Sequence, residues 1–549
     1  VQPNSALTIL KTFKFHLLIA LSFAGFTAST LKAQTIHSIQ DSIDFLLSSW
    51  SNKQAPGISV AVIKDGQAHY SRSYGMANIK KGISIDSATT FWIASVSKQF
   101  TAAAIYQLAV QKKLVLDNSI RVYFPKLPPV FQKITVNQLI HHTSGMRDGF
   151  VLTALSKKPP ATYTNENVMH YLQASAALNF TPGTEYEYNN SCYVLLAQLI
   201  EKLTGKTYPD YMKAEVFQPL GMNRTYVSPT FPNDEKQAEG YRESGPNTYR
   251  EDHFQGKTYG SSSIITTLND LIRWSQFLQN PQTVPQLSPV AKLLMQPGML
   301  SNRQLIAYAG GLEKLMYRGR TLYEHFGADE GFKADILYFP ETKVSVIGLT
   351  NNSSYYGLLT LLLQVSDVVH DGKRAALPSV DQSGEKIQEQ FYYNEEKPQL
   401  AKVQRFPGYV TISSAPSGYA APFQVIGDTL RNLDPIPAQY LQKKQSIEVL
   451  DPYYHNTTRL HEIQPVVKKE DWKTFAGEYL SKELQTSYKI MATDSALQFE
   501  FLPGLTFDLF RITDTDFVFE YLGANYLQFS KDGFAFTREG CRKLEFRRQ

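Results

Sequence analysis

At 549 residues the chain is too long for a single hydrophobic core, so about two to four domains are expected. Apolar residues at 43% and charged residues at 19% describe an ordinary globular protein, and a net charge of +5 with no Lys/Arg block or stripe gives nucleic-acid binding no footing. The 32 tyrosines and 32 phenylalanines suit a chain rich in β-structure.

Residues 1–33 read as an export signal. Lys11 and Lys14 precede the apolar run FHLLIALSFAGF (15–26), and Ala33 offers a small residue for cleavage. The run is short for a bilayer span and no later segment approaches one, so an exported protein, periplasmic or secreted, without a lasting membrane span is expected. Cys192 and Cys541 are far apart in sequence and show neither a disulfide framework nor zinc-ligand spacing.

From 34 to 375 helices and strands mix. GISVAVIKDGQAHYSRSYG (57–75) alternates around KDGQ as a hairpin does, and helical periodicity runs through 97–113, 189–204 and 268–279. FKADILYF and KVSVIGLT (332–339 and 343–350) form a second hairpin pattern across PET, followed by an apolar helix at 356–370. Strands at both ends with helices between them predict an α+β fold, an antiparallel sheet flanked by helices with a helical subdomain. The polar stretch 372–390 is a boundary. Beyond it short strands dominate, in two all-β modules: linker and first module at 376–465, the second at 466–549. FPGYV at 406 and FAGEY at 475 hint at a repeat between them.

Ser-x-x-Lys occurs at Ser29, Ser95 and Ser383, but only Ser95 opens an apolar helix able to shelter a lysine. The i, i+3 spacing puts Ser95 and Lys98 on one face, and the helix N-terminus favours negative charge at the serine oxygen. An amine with a free pKa of about 10.4 is a poor base at neutral pH, and burial corrects that. Tyr188 and Asn190 form Tyr-x-Asn before an amphipathic helix; a phenol there can shuttle a proton and an amide can hold lysine and substrate. In YEHFGADEGFKADILYF (323–339), His325-Phe326-Gly327 leads into the hairpin, where glycine permits close backbone approach. A metal set of His325 with Glu324, Asp329 and Glu330 lacks a second imidazole at ligand spacing, and His141 and His142 suit structural roles, so no metal or cofactor is expected.

SVSK, YNN and HFG in this order, with LIHHTSGM and TLNDLIRW, resemble the serine β-lactamase-like family, which includes class C β-lactamases, D-alanyl-D-alanine carboxypeptidases, D-aminopeptidases and esterases. The resemblance spans about 36–375 and implies a β-lactamase/penicillin-binding-protein-like catalytic domain at 34–375. The segment from 466 resembles the lipocalin-like β domain often appended to such hydrolases. Residue by residue, the resemblance implies Ser95 as acylated nucleophile, Lys98 as general base or its partner and Tyr188 as general acid/base. It further implies Asn190 as a positioner of substrate and lysine, and the backbone N–H groups of Ser95 and Ala328 as the oxyanion hole. The chain has His325-Phe326-Gly327 where class C β-lactamases carry Lys-Thr-Gly, which replaces a permanent cation by a mostly neutral imidazole. That favours D-amino-acid peptides, such as cell-wall stem peptides, or small esters over β-lactams. A class C-type β-lactamase and a catalytically silent binding protein are the alternatives, the latter opposed by the joint presence of Ser95, Lys98, Tyr188 and Asn190.

Overall fold

The computed structural model describes residues 38–372 and 385–549, apart from 160–162, 229, 231–234, 254–255, 395–398, 408, 415–419, 427–428, 433–438, 444–445, 451–456, 464–470, 495 and 521–523. The export-signal stretch and most of the polar boundary stretch lie outside the described residues.

After a short helix, α1 (Ile39–Leu47), the first hairpin forms as its pattern requires. Strands β1 (Ile58–Lys64) and β2 (Gln67–Tyr74) pair antiparallel, and the turn between them holds Asp65 and Gly66 at φ of 50° and 77°, a conformation that Asp-Gly tolerates. Six of the seven residues of β1 are buried, so this strand is covered on both faces. The sheet is completed by β3 (Glu313–Tyr317), β4 (Arg320–Glu324), β5 (Gly327–Asp329), β6 (Phe332–Phe339) and β7 (Val344–Thr350) in the order β3-β4-β6-β7-β1-β2, with β5 paired to β6.

Side chains alternate across this sheet and feed two cores. Ala61, Ile63, Ile336 and Ile347 join the large core beneath helix α2 (Ser97–Val110). Val60, Val62, Leu337 and Val346 pack instead with Ile43 and Leu47 of α1 and with Leu358 and Leu362 of the helix Leu358–Asp371. Helix α2 is buried nearly all round, so its polar residues need partners. Gln99 accepts from Trp274 Nε1 at 2.9 Å, and Thr101 donates to the Gly260 carbonyl at 2.6 Å. Four further helices matter for the site: α3 (Gly149–Leu155), α4 (Asn165–Ala174), α5 (Asn190–Thr204) and α6 (Leu268–Gln279).

Two all-β units follow. Eight antiparallel strands between Gln388 and Ile463 close into a barrel, the first pairing with the last through Phe391 opposite Ile463. A nine-stranded antiparallel sheet then runs from Gly477 to Arg548 and ends in the hairpin β8 (Gly533–Arg538) and β9 (Cys541–Arg548). Its aromatic core takes in Leu152 and Leu155 of α3 and Tyr171 of α4, so helices of the N-terminal region complete a C-terminal core. Cys192 on α5 and Cys541 on β9 are both buried free thiols.

Candidate active site

The spacing places Ser95 at the head of a helix; the structure places it one step earlier, in a 3-10 turn (Ala94–Val96) from which α2 starts at Ser97. Ala94 is held at φ 44°, a left-handed conformation that costs a non-glycine residue energy and bends the chain sharply before the serine. Ser95 and Lys98 still face each other. Lys98 has no solvent exposure, and its three ammonium donors are all used: Ser95 Oγ at 2.9 Å, Asn190 Oδ1 at 2.8 Å and the Ser261 carbonyl at 2.9 Å. The Tyr188 hydroxyl donates to Ser95 Oγ at 3.0 Å. Lys98 and Tyr188 therefore meet on the Ser95 oxygen, and Asn190 holds Lys98 from the other side.

Burial sets the protonation states here. Desolvation brings Lys98 down to about 7, with the charges of Asp148 and Asp329 offsetting part of it. The same cause raises Tyr188 well above an ordinary phenol, so it stays protonated at neutral pH. The ammonium of Lys98 lies 4.8 Å from the centre of the Tyr188 ring, where the π-face partly replaces lost water.

His325 sits between β4 and β5 and is 4% exposed. Its Nδ1 donates to the Phe326 carbonyl at 2.9 Å, and its Nε2 meets the Tyr308 hydroxyl at 3.0 Å. Burial, and secondarily Lys98, push its pKa down to about 3, so the ring is neutral. Gly327 is required by space: a Cβ there would lie 2.3 Å from the Ile93 carbonyl oxygen and 3.2 Å from the Ser95 amide nitrogen. Its absence lets β5 run beside the serine turn, with Ala328 exposed at the next position.

Several residues of the site are absent from the sequence reading of it. His142, placed there among structural residues, has φ 56°, accepts the Asn189 N–H on Nδ1 at 3.1 Å and packs against Tyr188 with ring centroids 4.5 Å apart and planes tilted by 40°. Asp148 accepts the Asn190 N–H at 3.0 Å and the Ser191 hydroxyl at 2.7 Å. Tyr308 is fully buried against His142 and His325. The framework segment LIHHTSGM contains His142, which was the available signal; Asp148, two residues beyond it, and Tyr308 have none. Among the described residues, ligand atoms of Glu239, Glu251 and His253 lie within 4.8 Å of one another, and the ion pair of His253 with Glu239 at 2.7 Å accounts for that grouping.

Residues 34–358, more than half of the chain, match the family model described as Beta-lactamase. The chain belongs to the Beta-lactamase family. Within that family it is 27% identical over 303 residues to a D-aminopeptidase of Gluconobacter oxydans, covering 54% of this chain and 56% of that protein. It is 29% identical over 302 residues to a D-aminopeptidase of Brucella anthropi, covering 55% and 57%. The chain thus matches just over half the length of these relatives. A likeness of fold joins it to the octameric penicillin-binding protein homologue from Pyrococcus abyssi, with a TM-score of 0.56 and 22% identity over 76% of this chain and 98% of that one. The D-alanine carboxypeptidase AmpC from Burkholderia cenocepacia gives 0.50 and 20% identity over 60% and 98%.

Proposed function

We propose that this family member is an exported serine hydrolase working through an acyl-enzyme on Ser95, with D-amino-acid peptides or small esters as substrates. The observation that carries the reading is the 2.9 Å contact between Ser95 Oγ and a fully buried Lys98 whose pKa falls to about 7. A base with that value is half neutral at neutral pH, which suits general-base catalysis. Neutral Lys98 takes the Ser95 proton as Oγ bonds to the substrate carbonyl carbon. The N–H groups of Ser95 and Ala328 hold the oxyanion, a contribution of about 10² to 10³ in rate per donor. Protonated Tyr188 gives its proton to the departing nitrogen or oxygen and recovers one from Lys98. Water then attacks the acyl carbon and the transfers reverse.

Tyr188 is too strongly desolvated to supply a phenolate, so Lys98 is assigned the base role in acylation. The neutral His325 offers no cation to a substrate carboxylate, which supports an uncharged group at that position over a β-lactam. The D-aminopeptidases among its relatives support the peptide branch. A silent scaffold role is opposed by Lys98, since nothing but chemistry needs an ammonium with no exposure and no ion-pair partner among the described residues. Export rests on the apolar run 15–26; no described helix is long and apolar enough to cross a membrane.

The test is intact mass after exposure to a fluorophosphonate, and separately to a penicillin, with Ser95→Ala alongside. A fluorophosphonate adduct on the wild type and none on the variant is the expected result. Equal labelling of both proteins would sink the assignment of Ser95. Turnover of a chromogenic cephalosporin at rates matching peptide or ester hydrolysis would move the enzyme to the β-lactamase branch.

A further inference from the structure

The C-terminal sheet meets Glu187, the neighbour of Tyr188, and Asp148, the partner of Asn190. Between β8 and β9 the chain turns at Glu539-Gly540, and this turn meets both segments that flank the Tyr-x-Asn motif. Glu187, next to Tyr188, accepts the Gly540 N–H at 2.9 Å and Nη2 of Arg542 at 2.5 Å. Arg542 also reaches Glu185 at 3.2 Å, lies 5.2 Å from the centre of the Phe180 ring, and donates its N–H to Asn179 at 2.8 Å. On the other side the Asp148 N–H donates to the Gly540 carbonyl at 2.7 Å, and the Asp148 carboxylate holds the Asn190 N–H. Arg147, 3% exposed, spans the joint from Glu483 at 2.6 Å to the carbonyls of Arg542 and Lys543 at 2.9 and 3.0 Å.

The fit leaves no slack. Gly540 has φ 79°, and a Cβ on it would lie 2.9 Å from Val151 Cγ2 and 3.2 Å from Asp148 Cβ. The bonds from Arg542 to Glu187 and Glu185 are charge-assisted and largely shielded, with side-chain exposures of 19%, 11% and 26%. Such bonds hold direction as well as distance.

We propose that Arg542 is a positioning residue for hydrolysis at Ser95: through Glu187, and with Gly540 acting through Asp148, it aims Tyr188 and Asn190 at Ser95 and Lys98, so that the C-terminal sheet completes the active site. This rests on the reading of Ser95 as nucleophile. A displacement of reacting groups by about 1 Å costs roughly 100-fold in rate.

The experiment compares full-length wild type with Arg542→Gln, Arg542→Lys and Tyr488→Phe. Tyr488→Phe removes a bond elsewhere in the same joint, from the Tyr488 hydroxyl to the Leu155 carbonyl at 2.7 Å. Fluorophosphonate labelling of Ser95 and steady-state ester hydrolysis are followed from pH 6 to 9. Arg542→Gln is expected to lower kcat and the labelling rate about 10- to 100-fold, with KM within about twofold and the pH limb unmoved because Lys98 is untouched. Arg542→Lys recovers part of the loss, and Tyr488→Phe stays within about twofold of wild type. Wild-type labelling of a folded Arg542→Gln overturns the proposal, and so does a loss in Tyr488→Phe as large as in Arg542→Gln. Should Arg542→Gln fail to fold, Glu187→Gln, which keeps its neutral bonds and loses the charge, must show the same kcat loss at unchanged KM, and its absence overturns the proposal equally. A wild type that is not labelled at Ser95 fails the nucleophile reading instead.

Discussion

The base assigned to Lys98 can be tested by pH. With a pKa of about 7, its neutral fraction is about 0.09 at pH 6, about 0.5 at pH 7 and about 0.91 at pH 8. Acylation of Ser95 should therefore climb about tenfold from pH 6 to pH 8 and level off above pH 9. The nearby imidazoles leave this window, since burial pushes His325 down to about 3, His142 far below its ordinary value and His141 below it as well. Burial raises the carboxyls of Asp329 and Asp335 towards it, and a limb that survives Asp329→Asn and Asp335→Asn belongs to Lys98. Asp148 is the foremost charge lifting the Lys98 pKa against desolvation, so Asp148→Asn should move the limb to lower pH. The assay is the second-order rate of fluorophosphonate labelling, read as loss of unmodified mass at each pH. A limb near pH 10 would return Lys98 to an ordinary exposed amine, and a rate flat from pH 6 to 8 would remove it as the base. Either result refutes the reasoning.

Stability should carry the same signature. The folded pKa of Lys98 is depressed to about 7 against an ordinary 10.5 in the unfolded chain, so the unfolded state binds more protons between these values and wild-type stability rises with pH across that window. Lys98→Met should lose this rise, about 5 kcal/mol in full and about 3 kcal/mol between pH 6 and 9, in chemical denaturation; a pH-independent difference between the two proteins would contradict it. Gly327→Ala places a Cβ 2.3 Å from the Ile93 carbonyl and must push β5 away from Ser95, so labelling should fall by about 10² to 10³, the worth of an oxyanion donor; an unchanged rate would show that β5 takes no part. Asp335, beside Glu324, is pushed up to about 8 by burial, so the stability it brings is full below its unfolded pKa and lost as pH rises through about 8. Asp335→Asn should raise the melting temperature at pH 8 more than at pH 5, and a uniform or opposite shift in differential scanning fluorimetry would count against it.

The hairpins were readable because strand alternation and an Asp-Gly turn are local signals, and β1–β2 and β6–β7 form where the pattern put them. Helix ends were less so. The helix expected to reach 113 stops at Val110, and Lys112 turns to φ 58° just beyond it. The helix expected from 189 starts at Asn190, because Asn189 serves as its cap and accepts the Cys192 N–H. Ser95, Lys98, Tyr188 and Asn190 could be found because each sits in a short motif with a chemical meaning. Tyr308 could not, since a buried tyrosine in AYAGG carries its meaning only when His325 folds against it. Asp148 and Glu187 were hidden for a related reason: some of their partners lie in the distant hairpin at 533–548.

The bond from Arg147 to the Arg542 carbonyl joins residues 395 positions apart. A contact across so long a loop forms late, since chain closure must be bought with entropy before the contact rewards it. During synthesis the N-terminal sheet and α2 can fold first, while Leu152, Leu155 and Tyr171 wait with their apolar faces uncovered for the C-terminal sheet. The nascent chain is therefore sticky at α3 and α4 until β8 and β9 arrive and, if Arg542 positions Tyr188 as proposed, slack at Tyr188 as well. Hydrolytic activity should then switch on as a single late event in biogenesis.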